Sequence, residues 1–338
     1  MKKRKVILDV DTGSDDAVAI MTALLSEELD VIGITTVHGN LPLPYTTDNT
    51  LRVVELLGSD VPVYAGCPYP LVQDLLPGRR VNARETDGDC VIDGKVVAVH
   101  DRELPLPKPT IRAQGEHAVS WMLRTLRETE EKITLIPVGA MTNIATVLRL
   151  DPSVAEHIEE IVCMGGGVNV HNRAFRSETN FYNDPEAAKI MLSSGVKVTI
   201  VTLDATHSSW FGYEEVEKLR GLGTAPADFA AEMLCHRIHA ANLTGARKEP
   251  KSALHDVLAV CAVIDPTVLT EVRRESCDVD ISGGIADGQL MTTMRYRYSE
   301  SALPTYVAYR GDGEKLFDMM SSRLAKAPRR KEGTCYAD

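Results

Sequence analysis

The sequence predicts an α/β fold of the Rossmann-like type: an open, mostly parallel sheet with helices on both faces and an active site at the carboxyl edge of the strands. Short apolar runs rich in β-branched residues alternate with longer amphipathic stretches, as in parallel sheets covered by helices. A dense acidic group directly follows the first apolar run. In such sheets, ligands bind beyond the carboxyl ends of the strands.

The predicted elements follow one another in this alternating order. Strands are expected over residues 6–9, 31–37, 61–64, 133–137, 158–164 and 196–203. Helices are expected over residues 17–26, 46–57, 116–127, 143–148, 185–194, 252–263 and 313–326. Pro62 cannot donate to a strand ladder, so the third strand is expected at an edge of the sheet. A C-terminal β-hairpin is predicted from residues 289–298 and 305–309.

Length and composition indicate one soluble globular unit. We interpret residues 1–338 as a single domain, because one α/β domain of this size is common. Hydrophobic residues make up 44% of the chain and charged residues 25%, which permits a substantial core. The net charge of -11 disfavours binding to nucleic-acid phosphates or anionic membranes. A neutral small molecule would not be repelled.

Cysteine usage and the N-terminus indicate a cytoplasmic protein. The seven cysteines are widely spread and never form a Cys-x-x-Cys pair, so we interpret them as reduced thiols. The basic start is followed by a very short apolar run before Asp9, unlike a signal peptide. No apolar run approaches the ~20 residues that a bilayer crossing requires.

Residues 71–109 interrupt the alternating pattern with a charged stretch that contains prolines. Long segments of this kind inside compact domains are often functional. An active-site lid and a small β-excursion both explain the composition, and an ordinary surface insertion explains it equally well.

The acidic group after the first strand reads Asp9-Val10-Asp11-Thr12-Gly13-Ser14-Asp15-Asp16. Four like charges repel one another unless a cation neutralises them, and ligand sets made only of oxygen select a hard ion such as Ca²⁺ or Mg²⁺. Helix capping accounts for one or two of these residues. The sequence therefore predicts a metal site at the end of the first strand.

Two known metal or phosphate motifs fit this segment poorly. An EF-hand loop starting at Asp9 would need glycine and glutamate at positions that Ser14 and Ile20 occupy here. A phosphohydrolase with Asp9 as its nucleophile stays open as an alternative, although Gly13 stands where such enzymes usually carry threonine.

The opening motif resembles that of the inosine-uridine-preferring nucleoside hydrolases, which are calcium-dependent N-ribohydrolases. Further blocks agree in the order of the family and cover nearly the whole chain. They are His38-Gly39-Asn40, the turn from Pro137 to Asn143, the stretch from Met164 to Asn180, Asp184-Pro185-Glu186-Ala187-Ala188, and Leu254-His255-Asp256-Val257-Leu258-Ala259.

The resemblance implies hydrolysis of the N-glycosidic bond of ribonucleosides to ribose and free base. It places a Ca²⁺ ion on Asp11, Asp16, Asp256 and the backbone carbonyl of Val138. Such an ion lowers the pKa of water, and the family pattern makes Asp11 the base that takes the water proton. His255 is then the expected proton donor to the leaving base.

The resemblance also carries over the substrate contacts. Asp15 and Asn40 are expected to contact the lower ribose hydroxyls. Further contacts are expected from four residues of the 164–180 stretch: Met164, Asn172, Glu178 and Asn180. The last three of these correspond to the 5′-hydroxyl side. A homodimer or homotetramer with a role in nucleoside salvage is also implied.

The choice of base stays open at this stage. Many family members carry a His-Gly pair and a glycine-rich loop near the base, whereas residues 71–109 contain only Thr86-Asp87-Gly88-Asp89 and His100-Asp101. Purine, pyrimidine and modified bases are all compatible with this departure. The region of His236, Arg237 and His239 and the stretch from Thr206 to Trp210 are candidates to face the base. A sensor that binds nucleosides without cleaving them is the second alternative.

Overall fold

A nine-stranded sheet organises the computed structural model, which describes residues 2–72, 75–76, 89–92, 95–98, 100–243, 249–293 and 305–328. Its order is β10-β9-β11-β8-β7-β6-β1-β2-β3, and β4 and β5 pair separately. The strands are β1 (Arg4–Val10), β2 (Leu29–Thr36), β3 (Val63–Ala65), β4 (Asp89–Ile92), β5 (Lys95–Ala98), β6 (Ile133–Pro137), β7 (Ile158–Met164), β8 (Val198–Val201), β9 (Leu269–Val279), β10 (Leu290–Thr293) and β11 (Thr305–Gly311).

Most of the large sheet is parallel. The strands from β3 through β8 to β11 pair in parallel, whereas β9 is antiparallel to both β11 and β10. The predicted Rossmann-like architecture is confirmed. The short strand after Pro62 lies at one edge of the sheet, as predicted.

Helices cover both faces of the sheet, because its central strands are apolar on both sides. In β1, Val6 and Leu8 join one buried cluster with residues of α1, α9, α10 and α11, while Ile7 joins a second cluster with residues of α3, α4 and α6. The helices are α1 (Ser14–Leu24), α2 (Leu43–Leu56), α3 (Ala118–Glu128), α4 (Thr142–Leu150), α5 (Thr179–Asn183), α6 (Pro185–Leu192), α7 (Leu203–Thr206), α8 (Tyr213–Arg220), α9 (Ala225–Leu243), α10 (His255–Ile264) and α11 (Gly313–Leu324).

The predicted C-terminal hairpin is wrong. Strand β9 lies between β10 and β11, so these two strands are not neighbours, and residues 294–298 lie outside the described part of the chain. Arg273, Arg274 and Glu275 interrupt β9 with charge, and much of this strand is exposed. It therefore lacks the apolar run by which the buried strands were identified.

Segment 71–109 includes a small antiparallel pair of strands, β4 and β5. This pair agrees with the small β-excursion, one of the interpretations of the segment given above. Residues 73–74, 77–88, 93–94 and 99 lie outside the described residues, and the lid stays a prediction. Cys67, Cys163, Cys235, Cys261 and Cys277 are free thiols. Within the described ranges, no helix has the length and apolar character needed to cross a bilayer.

The carboxyl ends of β1, β2 and β6 bring the predicted site segments together. The amide of Val37 donates to the carbonyl of Val10 (2.9 Å), and the amide of Val138 donates to the carbonyl of Asp9 (2.8 Å). These bonds extend the parallel ladders beyond the strands and hold the following loops side by side. The contact between α1 and α10 then brings the start of α10 to the same edge.

Candidate functional site

Four buried carboxylates meet at this edge of the sheet: Asp11, Asp15, Asp16 and Asp256. Carboxylate oxygens of Asp15, Asp16 and Asp256 lie within 4.8 Å of one another. Asp15 and Asp16 lie in the first turn of α1 and Asp256 in the first turn of α10. The positive ends of both helix dipoles therefore face the cluster and favour its negative charge.

Asp11 connects this cluster to the loop after β2. Its backbone amide donates to Oδ1 of Asp16 (3.2 Å), and Oδ2 of Asp16 accepts from the amide of Gly13 (2.9 Å). The backbone amide of Asn40 donates to Oδ2 of Asp11 (2.6 Å), and its side-chain Nδ2 lies 3.3 Å from both Asp11 and Asp16. Asn40 thus orients two of the predicted metal ligands.

Two glycines allow the loops to close around Asp11. A Cβ atom on Gly39 would lie 1.9 Å from Oδ2 of Asp11, and one on Gly139 would lie 2.9 Å from its Cβ. Any larger residue at Gly39 would collide with the carboxylate. The motif residues Gly39 and Gly139 are therefore required by close packing.

Burial and mutual repulsion shift the titration of the cluster. Burial raises the pKa of Asp11 and Asp256 well above the usual carboxyl range, and neighbouring carboxylates add to the shift. Burial and Asp15 together raise the pKa of Asp16 to about 6. Burial is the largest single influence on Asp15 and opposes its ionisation, but Arg237 at 2.7 Å together with His255, His100 and a backbone amide outweighs burial, so the pKa of Asp15 is lowered.

The donor set of the cluster fits a hard divalent cation. The side chain of Asp256 is buried, yet it accepts no hydrogen bond from the residues that the structure describes. A buried carboxylate without a donor costs several kcal/mol, about 1–3 for each lost hydrogen bond and more for a charge. A cation bound by carboxylate oxygens would remove this cost.

The stretch from β7 to α5 supplies the other side of the site. Nδ2 of Asn180 donates to the carbonyls of Val138 (2.7 Å) and Met164 (3.1 Å). Glu178 is buried and accepts from the backbone amides of Gly166, Asn180 and Phe181. Burial still raises the pKa of Glu178 to about 7, in spite of these donors.

Asn172 differs from its partners in the predicted ribose site. Its side chain is exposed, and its Oδ1 accepts from the amide (3.0 Å) and hydroxyl (3.2 Å) of Thr179. In this structure it closes the loop that carries Glu178.

His255 begins α10 directly before Asp256. Its Nδ1 lies 2.8 Å from Oγ1 of Thr206, and its ring lies 5.6 Å from that of His207, which packs against Trp210. Burial and the charge of Arg237 lower the pKa of His255 to about 3. The stretch from Thr206 to Trp210, a candidate for the base side, thus lies behind His255, whose imidazole is neutral near pH 7.

Sequence reasoning missed the position of His100. Its imidazole covers Gly13, where an added Cβ would lie 2.2 Å from Nδ1 of His100, and it lies 3.4 Å from the amide of Ser14. The His100-Asp101 pair is present in the sequence, but without a following glycine-rich loop it offered no recognisable motif.

Asp9 is unsuited to act as a nucleophile. Its side chain is fully buried, and Oδ1 accepts from Thr35 (2.6 Å) and Asn143 (2.8 Å). Burial raises its pKa to about 7. A phosphate group has no access to this carboxylate, which argues against the phosphohydrolase alternative.

Comparisons with known proteins converge on one family. Residues 6–318 match the family model of the inosine-uridine preferring nucleoside hydrolases. An inosine-uridine preferring nucleoside hydrolase of Leishmania major is 33% identical over 325 residues, covering 96% of this chain and 98% of the relative. The pyrimidine-specific ribonucleoside hydrolase RihA of Escherichia coli is 34% identical over 326 residues, covering 94% and 97%.

A solved structure agrees with these sequences. The purine-preferring ribonucleoside hydrolase from Gardnerella vaginalis superposes with a TM-score of 0.81 at 30% identity. The match covers 95% of this chain and 98% of that chain. The likeness therefore extends over the sheet and the site together.

We expect Asp256→Asn to raise the melting temperature of the cation-free protein at pH 8. Raised carboxyl pKa values mean that the folded state holds protons that the unfolded state releases, so stability falls as pH rises from 3.8 through about 6 and above. Asp256→Asn removes one of these charges and so reduces the loss of stability at pH 8. The gain in melting temperature should vanish near pH 4. Thermal denaturation in EDTA at both pH values measures it.

The exposed Asp318→Asn serves as the control and should change little at either pH. The same substitution at Asp256 should also reduce the rise in melting temperature that calcium produces. A lower melting temperature for Asp256→Asn in EDTA at pH 8 would contradict the repulsion argument.

Proposed function

Because the chain belongs to the inosine-uridine preferring nucleoside hydrolase family and is a hydrolase of N-glycosyl bonds, we propose that it cleaves ribonucleosides to ribose and free base with calcium bound at the acidic cluster. The observation that carries the proposal is the meeting of Asp11, Asp16, Asp256 and His255 in one buried site. Segments far apart in the sequence supply these residues.

The proposed calcium ligands are Asp11, Asp16, Asp256 and the carbonyl of Val138. All are oxygen donors, as Ca²⁺ prefers, and the Val138 carbonyl keeps a second lone pair beyond its bond from Asn180. When bound, calcium supplies positive charge that acidifies a nearby water and attracts ribose hydroxyls.

Asp11 is the proposed general base. Asn40 holds its carboxylate through a backbone amide and a side-chain amide. A high proton affinity, which burial gives Asp11, suits a group that must take a proton from water. The water oxygen then attacks the anomeric carbon as the bond to the base breaks. Positive charge develops on the sugar, and the surrounding carboxylates stabilise it.

Ribose is proposed to lie between two groups of residues. Asp15 and Asn40 face the lower hydroxyls, while Glu178, Asn180 and Met164 line the opposite side. Asn172 would join them only through a change of the loop that it closes, because its side chain now bonds Thr179. Fixed hydrogen-bond partners on both sides orient the anomeric carbon toward Asp11.

His255 is the proposed proton donor to the departing base. Oγ1 of Thr206 lies 2.8 Å from Nδ1 of His255 and 3.3 Å from the carbonyl of Leu203. The proposal requires its single hydrogen to go to Nδ1, so that the neutral imidazole carries its proton on Nε2 and donates from that atom. His207 and Trp210 support the ring from behind. A base that receives this proton leaves as a neutral molecule.

The specificity for the base is proposed to be broad. Inosine and uridine are the reference substrates. Relatives of similar identity are named for inosine-uridine, pyrimidine and purine preference, so overall identity does not select a base. His100 lies against Gly13 and Ser14 at the start of α1, and we propose that it contacts the base.

We expect the wild-type protein to release free base from inosine or uridine, and EDTA to abolish the release until calcium is restored. Asp11→Ala should lower kcat at least about 100-fold, the usual contribution of a general base. Chromatography of the bases released from inosine, uridine, cytidine and adenosine measures both effects. Asp318→Asn is the control and should retain full activity.

Calcium-dependent binding without release of base would show a sensor and would refute hydrolysis. Release that persists in EDTA would refute the metal requirement. Phosphate release from nucleotides together with inert nucleosides would restore the phosphohydrolase alternative.

His255→Ala should slow the hydrolysis of inosine by about 100-fold or more, while sparing a nitrophenyl riboside. The nitrophenolate leaves without a proton, so it does not need a donor. Steady-state rates on the two substrates give the comparison. His157→Ala is the control, because His157 lies before β7 at the opposite edge of the sheet. Equal losses on both substrates would exclude the donor role.

We expect a rise in kcat/KM through about pH 7 that depends on Glu178. Its raised pKa means that the carboxylate forms only as pH passes this value, and an ionised carboxylate is the better acceptor for a ribose hydroxyl. Glu178→Gln should remove this step from the pH profile, and the exposed Glu217→Gln should keep it. An unchanged profile in Glu178→Gln would assign the step to another group.

A further inference from the structure

We propose that Arg237 is a positioning residue that reserves Asp15 for the ribose hydroxyls and withholds it from the metal ion. The inference rests on the proposed function, and it concerns an arginine to which neither the opening motif nor the late His-Asp motif assigns a role. Asp15 lies in the same carboxylate cluster as Asp16 and Asp256. Its proximity alone would allow it to bind a cation as they do.

Arg237 contacts both halves of the site. Nη1 donates to Oδ1 of Asp15 (2.7 Å) and to Oγ of Ser14 (3.0 Å), both at the start of α1. Nε donates to the carbonyl of Ala253 (3.0 Å), two residues before His255. One guanidinium from α9 therefore holds the start of α1 against the segment that leads into α10.

The bond to Asp15 restricts what this carboxylate can do. A guanidinium is planar and always charged, so it fixes the orientation of the group it binds more strictly than an ammonium does. Oδ1 of Asp15 faces Arg237, and Oδ2 is left for a second partner. Asp16 and Asp256 have no such cation among the described residues. Asp16 accepts hydrogen bonds from the amides of Asp11, Gly13 and Asn40, which leave lone pairs on its oxygens for a metal.

The surroundings of Arg237 differ from those of the other buried arginines. Among the described residues, Arg52, Arg237 and Arg323 are buried. The acidic partners of Arg52 are 31% and 65% exposed, and that of Arg323 is 44% exposed. Asp15 is only 5% exposed. A fully buried pair adds little to stability on average, and its place beside the predicted ribose contacts points to a role in the reaction.

A double-mutant cycle tests the coupling between Arg237 and Asp15. We would measure kcat/KM for inosine at saturating calcium in Arg237→Met, Asp15→Asn and the double variant. Arg237→Met should lower kcat/KM about 10-fold or more, chiefly through KM, because loss of a charged hydrogen-bond partner has this size. If Arg237 acts through Asp15, the double variant should be no worse than Asp15→Asn alone. Additive losses would overturn the proposal.

The buried Arg323→Met is the matched control, since it also removes a buried guanidinium. Its effect, if any, should add to that of Asp15→Asn. Arg237→Lys keeps the charge but cannot bridge Ser14, Asp15 and Ala253 together, so its kcat/KM should fall between those of the wild type and Arg237→Met. A lysine variant as poor as the methionine variant would likewise count against positioning by charge.

Calorimetric titration with calcium provides a readout that does not need turnover. Arg237→Met should bind calcium more tightly than the wild type, since a neighbouring positive charge is gone and Asp15 is released. The tightening should be smaller in the Asp15→Asn background. Weaker calcium binding in Arg237→Met would show a merely structural arginine and overturn the inference. An inactive wild type would refute the proposed function alone, because this titration still judges Arg237.

Discussion

Repulsion among four buried carboxylates is the constraint on which the rest of this site depends. Asp11, Asp15, Asp16 and Asp256 are out of water, so the protein must offset their charge itself. Two helix N-termini face them, backbone amides of Gly13 and Asn40 donate to them, and Arg237 pairs with one of them. The remaining negative charge is what suits the cluster to the proposed cation.

A second layer of buried polar residues supports the cluster from below. Asn143 donates to Asp9 and to the carbonyl of Thr36, and its Oδ1 accepts from the amide of Cys67. These bonds join the ends of β1 and β2 to the segment after β3. The strand ends that carry the loops of the proposed site are therefore held by side chains as well as by the ladder, which limits movement of Asp11.

The parts of the fold and site that sequence could predict are those with a local signal. The acidic run from Asp9 to Asp16 and the pair His255-Asp256 are motifs within a few residues, and the central strands are uninterrupted apolar runs. The sequence offered Arg237 only as a candidate to face the base, and His100 only in a pair without a recognisable motif. Their contacts with Gly13, Ser14 and Asp15 arise from packing and could not be predicted. Strand β9 was not predicted for a related reason. Its polar sequence does not favour a strand by itself, and its pairing with β11 compensates for this.

The contact between α1 and α10 has a consequence for the order of events during synthesis. Asp11 and Asp16 leave the ribosome well before Asp256, which lies far beyond them in the sequence. A nascent chain that ends before α10 lacks one wall of the pocket and the N-terminus that faces it. Incomplete chains therefore carry the acidic loop without a finished site, and the proposed capacity to hold a cation and a sugar together arises only after α10 has been made.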